Sequence, residues 1–147
     1  MSATIVVGVD GSEGALRALE FALDEARAHD ADVKAVAAWH VPASVYQTGW
    51  VPASVDPSDF EQIARRGLDK SLAEAQVSES GVSVTPILRE GQAAEVLVAE
   101  AHDAELLVVG PRGLGGFKGL LLGSVGQQCA HHASCPVAIV PNGNRPD

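Results

Sequence analysis

Five short apolar runs alternate along this chain with segments of helical periodicity, and no other feature constrains its fold as strongly. The runs, most of them rich in β-branched residues, occupy residues 4–9, 33–41, 82–88, 106–109 and 137–140. Runs of this length that are bounded by turn residues are typical of buried strands. Strands that alternate with helices pair in parallel through right-handed crossovers. The sequence therefore predicts a single-domain α/β fold, a doubly wound parallel five-stranded sheet with helices on both faces.

Four segments between these runs carry the periodicity and the end signals of helices. Ser12 is a good N-cap for an amphipathic helix that runs to about His29, and Asp56 with Pro57 opens a second helix. The apolar positions of that second helix, which we expect to face the core, are Phe60, Ile63, Ala64, Leu68 and Leu72. Residues 93–102 and 124–132 are predicted as the third and fourth helices. Residues 42–57 are predicted to form a long loop.

The composition agrees with this fold and excludes several classes of function. Hydrophobic residues make up 46% of the chain but aromatic ones only 4%, which suits a parallel sheet covered by alanine-rich helices. The net charge of −9 opposes binding to nucleic acid or to an anionic membrane. The first residues lack the layout of a signal peptide, and no apolar run approaches the roughly 18 residues of a membrane span. We therefore expect a cytoplasmic protein.

A glycine-rich segment follows the run at residues 106–109 and carries the clearest chemical signal. It reads Gly110-x2-Gly113-x9-Gly123-Ser124 and ends where a helical pattern begins. Glycines let the backbone approach an anion, and the N–H groups at a helix start point toward it with the positive end of the helix dipole. The segment matches neither the Walker pattern nor the dinucleotide fingerprint. It predicts a phosphate site, against the alternative of a flexible loop.

Three positions fall at or just beyond the carboxyl ends of predicted strands: Asp10, Val41 and Gly110. In open α/β sheets, ligands bind outside these strand ends, where the strand order reverses. We therefore expect the three residues to line one crevice. A carboxylate touching phosphates would be repelled, so ribose hydroxyls or a magnesium ion are the expected partners of Asp10. The alternative role of Asp10 is that of a turn or capping residue before the first helix.

The chain resembles the universal stress protein family, in its ATP-binding branch, over essentially its whole length. The matching segments are TIVVGVDGSEGALRALEFA, WHV, EGQAAEVLVAEA and AELLVVGPRGLGGFKGLLLGSVGQQCAHHASCPVAIV, in that order. The family's nucleotide motif, G-2x-G-9x-G-(S/T), is matched at Gly110, Gly113, Gly123 and Ser124. The resemblance implies a Rossmann-like fold of the adenine nucleotide alpha hydrolase type, with strand order 3-2-1-4-5. The family domain would span residues 1–141, followed by a polar tail at 142–147.

The resemblance also implies which residues hold the nucleotide, here ATP, with or without Mg²⁺. Gly8, Val9 and Asp10 would line the pocket after the first strand, and the backbone of Val41 would meet the adenine. The segment beside the ribose and phosphates contains Val109, Gly110, Arg112 and Gly113. The phosphate chain would be received by Gly123, Ser124 and Val125. Arg112 and Lys118 are the basic residues of this loop; either can neutralise phosphates, and the alternative is that they are only solvated surface charges.

Two residues depart from the family pattern within the glycine-rich segment. Pro111 stands where Ser or Thr is common, which removes one backbone N–H group and stiffens the first turn. Gly126 stands where a second hydroxyl residue often follows the Gly-Ser pair, which removes a potential phosphate ligand. Both departures affect the expected affinity, and neither falls on the four motif positions.

The function implied by the resemblance is that of an ATP-binding stress-response regulator, homodimeric through the last strand from Pro136 to Val140. Pairing an apolar edge strand with a twofold mate is physically sensible. The alternatives at the same site are a slow ATPase or phosphotransferase with Mg²⁺ near Asp10, or a sensor of AMP or a cyclic nucleotide. The sequence has no G-x-S-x-G motif and no cysteine with an evident base partner, so it does not predict an enzyme.

Two further groups of residues invite a chemical role that the sequence does not favour. One group has side chains that can bind a metal: Cys129, His131, His132 and Cys135. On a helix, however, Cys129 and His132 share a face, and His131 points about 100° away from it. We therefore predict no metal site there and place Cys129 in the core. His40 lies beside the predicted adenine position and is interpreted as a packed strand-end histidine.

Overall fold

The computed structural model of the protein describes residues 3–41, 56–111 and 124–141. Its strands are β1 (Thr4–Gly8), β2 (Asp32–Trp39), β3 (Val84–Glu90), β4 (Leu106–Val109) and β5 (Val137–Ile139). Its helices are α1 (Glu13–His29), α2 (Pro57–Glu74), α3 (Ala93–Glu100) and α4 (Ser124–His132), and a short 3-10 turn spans Val77–Glu79. Most of the predicted loop, residues 42–55, and the predicted tail lie outside the described residues.

The strands form one parallel sheet in the order β3-β2-β1-β4-β5, which confirms the predicted fold. Side chains alternate between the two faces of β1, so Ile5 and Val7 join one core cluster and Val6 joins the other. The first cluster packs against α1 and α2, and the second packs against α3 and α4. Helices therefore cover both faces of a sheet whose central strands are buried on both sides.

The predicted starts of α1 and α2 are confirmed by their capping geometry. The Ser12 side chain accepts a hydrogen bond from the N–H of Ala15 at 3.1 Å and caps α1. Asp56 accepts from the N–H of Ser58 at 3.0 Å, and this hydrogen bond holds the pKa of the Asp56 carboxyl below its usual value. Pro57 occupies the first turn of α2. In the described parts of the chain, no helix is long and apolar enough to cross a membrane.

Several strand ends differ from their predicted positions, most clearly those of β3. This strand lies two residues later than predicted, because the N–H of Val82 donates to the side chain of Ser80 at 3.1 Å and belongs to a turn. Arg89 and Glu90 then pair with the end of β2, although both are charged and exposed. β3 is an edge strand, so residues at its end can remain exposed to solvent and need not be apolar. Strands β1, β2 and β5 end one or two residues earlier than predicted.

The predicted core position at Ile63 is wrong. Ile63 is 58% exposed, whereas Leu68 and Ser71 of the same helix are buried. Ile63 precedes Leu68 by five residues, which places it roughly 140° away around the helix. The apolar face predicted for α2 is therefore wider than the face that the helix buries.

Candidate functional site

A cavity of about 260 Å³ opens at the carboxyl ends of β1, β2 and β4. It lies at the reversal of strand order between β1 and β4, the predicted place for a ligand in such a sheet. We call this cavity the crevice. Its lining residues are Gly8, Val9, Asp10, Ala15, Val36, Ala38, His40, Ala93, Leu97, Val109, Gly110 and Val125.

The crevice brings together three strand ends and the first turns of three helices. Ala15 comes from the start of α1, Ala93 from the start of α3 and Val125 from the start of α4. The N-cap residue of α3, Gln92, makes no side-chain capping hydrogen bond. The positive ends of helix dipoles are thus combined with a predominantly apolar wall. Such a site suits a ligand with a flat apolar part and an anionic part.

Asp10 stands at the polar edge of the crevice, in the turn between β1 and α1. One of its carboxylate oxygens accepts a hydrogen bond from the N–H of Ser12 at 2.9 Å. The N–H of Val9 donates to the carbonyl of Val36 at 2.9 Å, so the chain stays fixed to β2 up to the residue before Asp10. Asp10 is therefore a turn residue and a lining residue of the crevice at once.

Two glycines in the lining lie at close contacts with neighbouring residues. A Cβ atom on Gly110 would lie 3.1 Å from the carbonyl carbon and oxygen of Gly14, so the end of β4 rests on the first turn of α1. A Cβ atom on Gly8 would lie 2.9 Å from Cδ1 of Leu97. A larger residue at position 110 would press on the backbone of α1, whereas one at position 8 would meet the end of the Leu97 side chain, which can shift.

Six of the predicted binding residues line the crevice: Gly8, Val9, Asp10, Val109, Gly110 and Val125. Ser124 is the first residue of α4, as predicted, and is exposed beside Val125. Val41 follows His40 beyond the end of β2 and is not among the residues that line the crevice. Arg112, Gly113, Lys118 and Gly123 lie outside the described residues.

Six lining residues were not recognised as such in the sequence: Ala15, Val36, Ala38, His40, Ala93 and Leu97. The interpretation of His40 as a packed residue is wrong, because His40 is exposed and borders the crevice. Its place directly after a strand end, like that of Asp10, is the signal that would have identified it. Leu97 gave no such signal, because its spacing within α3 is that of an ordinary core residue.

Cys129 lies in the second core cluster, as predicted, with no exposed surface. The neighbouring His131 and His132 are exposed, and their ring centroids are 6.4 Å apart in a tilted arrangement. The Cys129 side chain is thus in the core, whereas those of the two histidines are at the surface. Across residues 3–41, 56–111 and 124–141, no group of three or more His, Cys, Asp or Glu residues has a geometry that could hold a metal ion.

The two thiols are expected to differ in reactivity. Burial raises the pKa of Cys129 to about 11, with a further contribution from nearby Cys135, and burial also raises the pKa of Cys135. We expect iodoacetamide at pH 8 to label the partly exposed Cys135 before Cys129 in the native protein, and both residues in denaturant. Peptide mass analysis measures the two rates. Equal labelling of the native thiols would contradict the burial of Cys129.

The same shift in pKa has a consequence for stability. The folded chain holds the Cys129 proton more tightly than the unfolded chain, whose thiol has its ordinary pKa of 9.0. The resulting contribution to the free energy of unfolding is fully present below pH 9 and is lost as the pH rises toward about 11. A Cys129→Ala variant serves as the control, since its stability should fall less over this window.

Comparison with known proteins gives a consistent family match. The model of the Universal stress protein family matches residues 1–141. Universal stress protein Rv2623 of Mycobacterium tuberculosis is 36% identical over 137 residues, which cover 93% of this chain and 44% of that protein. A universal stress protein of Mycolicibacterium smegmatis is 35% identical over 138 residues, covering 92% and 45%. The chain thus spans about half the length of the curated relatives it matches.

Solved structures share the fold over almost the whole chain. A universal stress protein in complex with cAMP is similar with a TM-score of 0.69 and 28% identity, over 96% of this chain and 98% of that one. The universal stress protein from Archaeoglobus fulgidus in complex with dAMP has a TM-score of 0.69 and 23% identity, over 94% and 97%. At 23% identity, the second likeness shows a shared fold only.

Proposed function

This chain belongs to the universal stress protein family, and from that premise we propose that it binds an adenine nucleotide, ATP, in the crevice. The observation that carries the proposal is the cavity of about 260 Å³ at the reversal of strand order, lined by Asp10, Gly110 and Val125. The adenine packs against the apolar wall, and the phosphates extend toward the start of α4. The N–H groups of that helix start and the hydroxyl of Ser124 then receive the anionic end.

The lining of the crevice supports an adenine ring over a purely inorganic anion. Val36, Ala38 and Leu97 present apolar surface, which an isolated phosphate cannot use but a purine covers. The similar structure that holds cAMP contains a ligand of this chemistry, with an adenine ring, a ribose and a phosphate. An adenine nucleotide satisfies the apolar wall and the helix starts together, which neither adenine nor phosphate alone does.

The choice of ATP rests on the sequence motif Gly110-x2-Gly113-x9-Gly123-Ser124. The carboxylate of Asp10 at the polar edge fits the ribose hydroxyls as a hydrogen-bond acceptor. It also fits a Mg²⁺ ion, which proteins commonly hold through one or two carboxylates plus substrate phosphates. Bound Mg²⁺ would neutralise the phosphates, whereas the residues of this chain orient the nucleotide and exclude water from its base.

We place this binding activity in a cytoplasmic, homodimeric stress-response regulator. Strand β5 forms one edge of the sheet, and its residues are only partly covered in the single chain. An edge strand with apolar side chains invites pairing with a second copy. Sedimentation analysis of the protein with and without ATP tests the dimer.

The decisive experiment is mass analysis of nucleotide released from the purified, denatured protein, followed by calorimetric titration with ATP. We expect bound adenine nucleotide in the wild type, and affinity about tenfold weaker in Ser124→Ala, which loses a hydrogen bond to a charged group. Gly113→Val tests the motif in the same way. Absence of any released nucleotide, together with no calorimetric binding of ATP, would overturn the proposal.

A second candidate is a sensor of AMP or a cyclic nucleotide at the same site. It is favoured by the similar structure in complex with cAMP and by Gly126, which offers no second hydroxyl group to a longer phosphate chain. Titrations with ATP, AMP and cAMP under the same conditions distinguish the candidates by their dissociation constants. Slow hydrolysis of ATP is a separate outcome. It would be recognised by a rate of ATP turnover that increases in proportion to protein concentration and is lost in the Asp10→Ala variant.

A further inference from the structure

The backbone of helix α2 closely approaches the backbone of the turn between β1 and α1. Gly11, in this turn, has a φ of +83°, and a Cβ atom on it would lie 2.9 Å from the Cα of Gly67 in α2. A Cβ atom on Gly67 would lie 2.8 Å from the carbonyl oxygen of Asp10 and 2.9 Å from its carbonyl carbon. Backbone atoms cannot move aside as a side-chain end can. A larger residue at either glycine would therefore force the turn and α2 apart.

Lys70 adds a hydrogen bond to the same crossing. Its Nζ atom donates to the carbonyl oxygen of Gly11 at 3.2 Å, about one turn of helix beyond Gly67. The ammonium group also lies 3.9 Å from Oε1 of Glu74. Lys70 is largely exposed, so removing its charge leaves the core intact. α2 thus makes a close backbone contact with the turn and also donates a hydrogen bond to it.

This turn carries the polar edge of the crevice. The peptide units that meet α2 are those of Asp10 and Gly11, and the carboxylate of Asp10 is held by the N–H of Ser12 at 2.9 Å. Ser12 in turn caps α1. A shift of the turn away from α2 moves the Asp10 carboxylate relative to the crevice, although neither Gly67 nor Lys70 lines it.

We propose that Gly67 and Lys70 of α2 are positioning residues for nucleotide binding, acting through the turn that carries Asp10. The inference rests on the proposed function, because it assigns these residues to the same nucleotide site. α2 and the crevice are then energetically coupled, and a coupling of this kind is reciprocal. A nucleotide that fixes Asp10 also stabilises α2, so ATP should slow amide hydrogen exchange in α2 around Gly67.

The test compares the dissociation constants of ATP for matched variants. We expect Gly67→Ala to weaken binding on the order of tenfold and Lys70→Met by a few fold, the losses typical of displaced or missing hydrogen bonds to charged groups. Lys70→Arg should restore most of the affinity, because it keeps a donor at this position. Arg65→Met removes an equal charge from an exposed site roughly 140° around the same helix, and should leave binding unchanged.

A double-mutant cycle separates positioning from general damage. In an Asp10→Ala background, the effects of Gly67→Ala and Lys70→Met on affinity should largely disappear, since their target is gone. Losses that simply add in that background would overturn the positioning role. Wild-type affinity in both α2 variants would overturn the inference and leave the proposed function standing. A wild type that binds no adenine nucleotide would overturn both.

Discussion

Ala38→Trp is expected to abolish adenine nucleotide binding while the protein stays folded. Ala38 lies near the end of β2, lines the crevice and is only partly buried, so an indole can extend into the cavity of about 260 Å³. An indole there occupies the space that the adenine needs. We expect the affinity for ATP to fall by at least about 100-fold, equivalent to about 2.7 kcal/mol. Calorimetry measures the loss, and circular dichroism verifies the fold.

The matched control is Ala99→Trp, the same change on the exposed side of α3. Ala99 lines a second cavity of about 240 Å³ together with Thr4 and Lys34, near the amino ends of the strands. This cavity lies at the opposite end of the sheet from the crevice. We expect Ala99→Trp to bind ATP as the wild type does. Wild-type affinity in Ala38→Trp would place the nucleotide elsewhere, and equal losses in both variants would point to an unspecific effect of the added indole.

The sequence predicted well those features whose causes lie within a few residues of one another. Ser12 caps α1 because its hydroxyl reaches an N–H group three residues later, and Asp56 caps α2 by reaching one two residues later. Asp10 could be placed at a strand end because a short β-branched run stops just before it. The strand order came from the family resemblance, and the parallel sheet itself followed from the alternation of strands and helices.

Features that depend on distant parts of the chain could not be predicted in this way. The contact of Lys70 with Gly11 joins residues 59 positions apart, and no local pattern marks Gly67 as anything but a weak helix residue. Leu97 looks like core in the sequence and is indeed buried, yet one side of it faces the crevice. Ile63 fits an apolar pattern but lies off the buried face of α2, which tertiary packing alone decides.

Leu107→Ala is expected to be among the most destabilising single substitutions in this chain. Leu107 has no exposed surface and lies in the interior strand β4, paired with Val6 of β1 and Val137 of β5. Its side chain belongs to the second core cluster, between the sheet and the helices α3 and α4. Truncation removes buried methyl groups and leaves a cavity that a rigid parallel sheet cannot collapse around. We expect the free energy of unfolding to fall by about 2–5 kcal/mol.

Ile63→Ala provides the matched control, because it also shortens a large aliphatic side chain to a methyl group. Ile63 is 58% exposed, so little apolar surface returns to water when it is truncated. We expect the free energy of unfolding to change by no more than about 0.5 kcal/mol. Urea titrations at a fixed, low protein concentration measure both variants without a contribution from association. If Ile63→Ala lowered the free energy of unfolding as much as Leu107→Ala does, the exposed position of Ile63 would be wrong. The wider apolar face predicted for α2 from the sequence would then be correct.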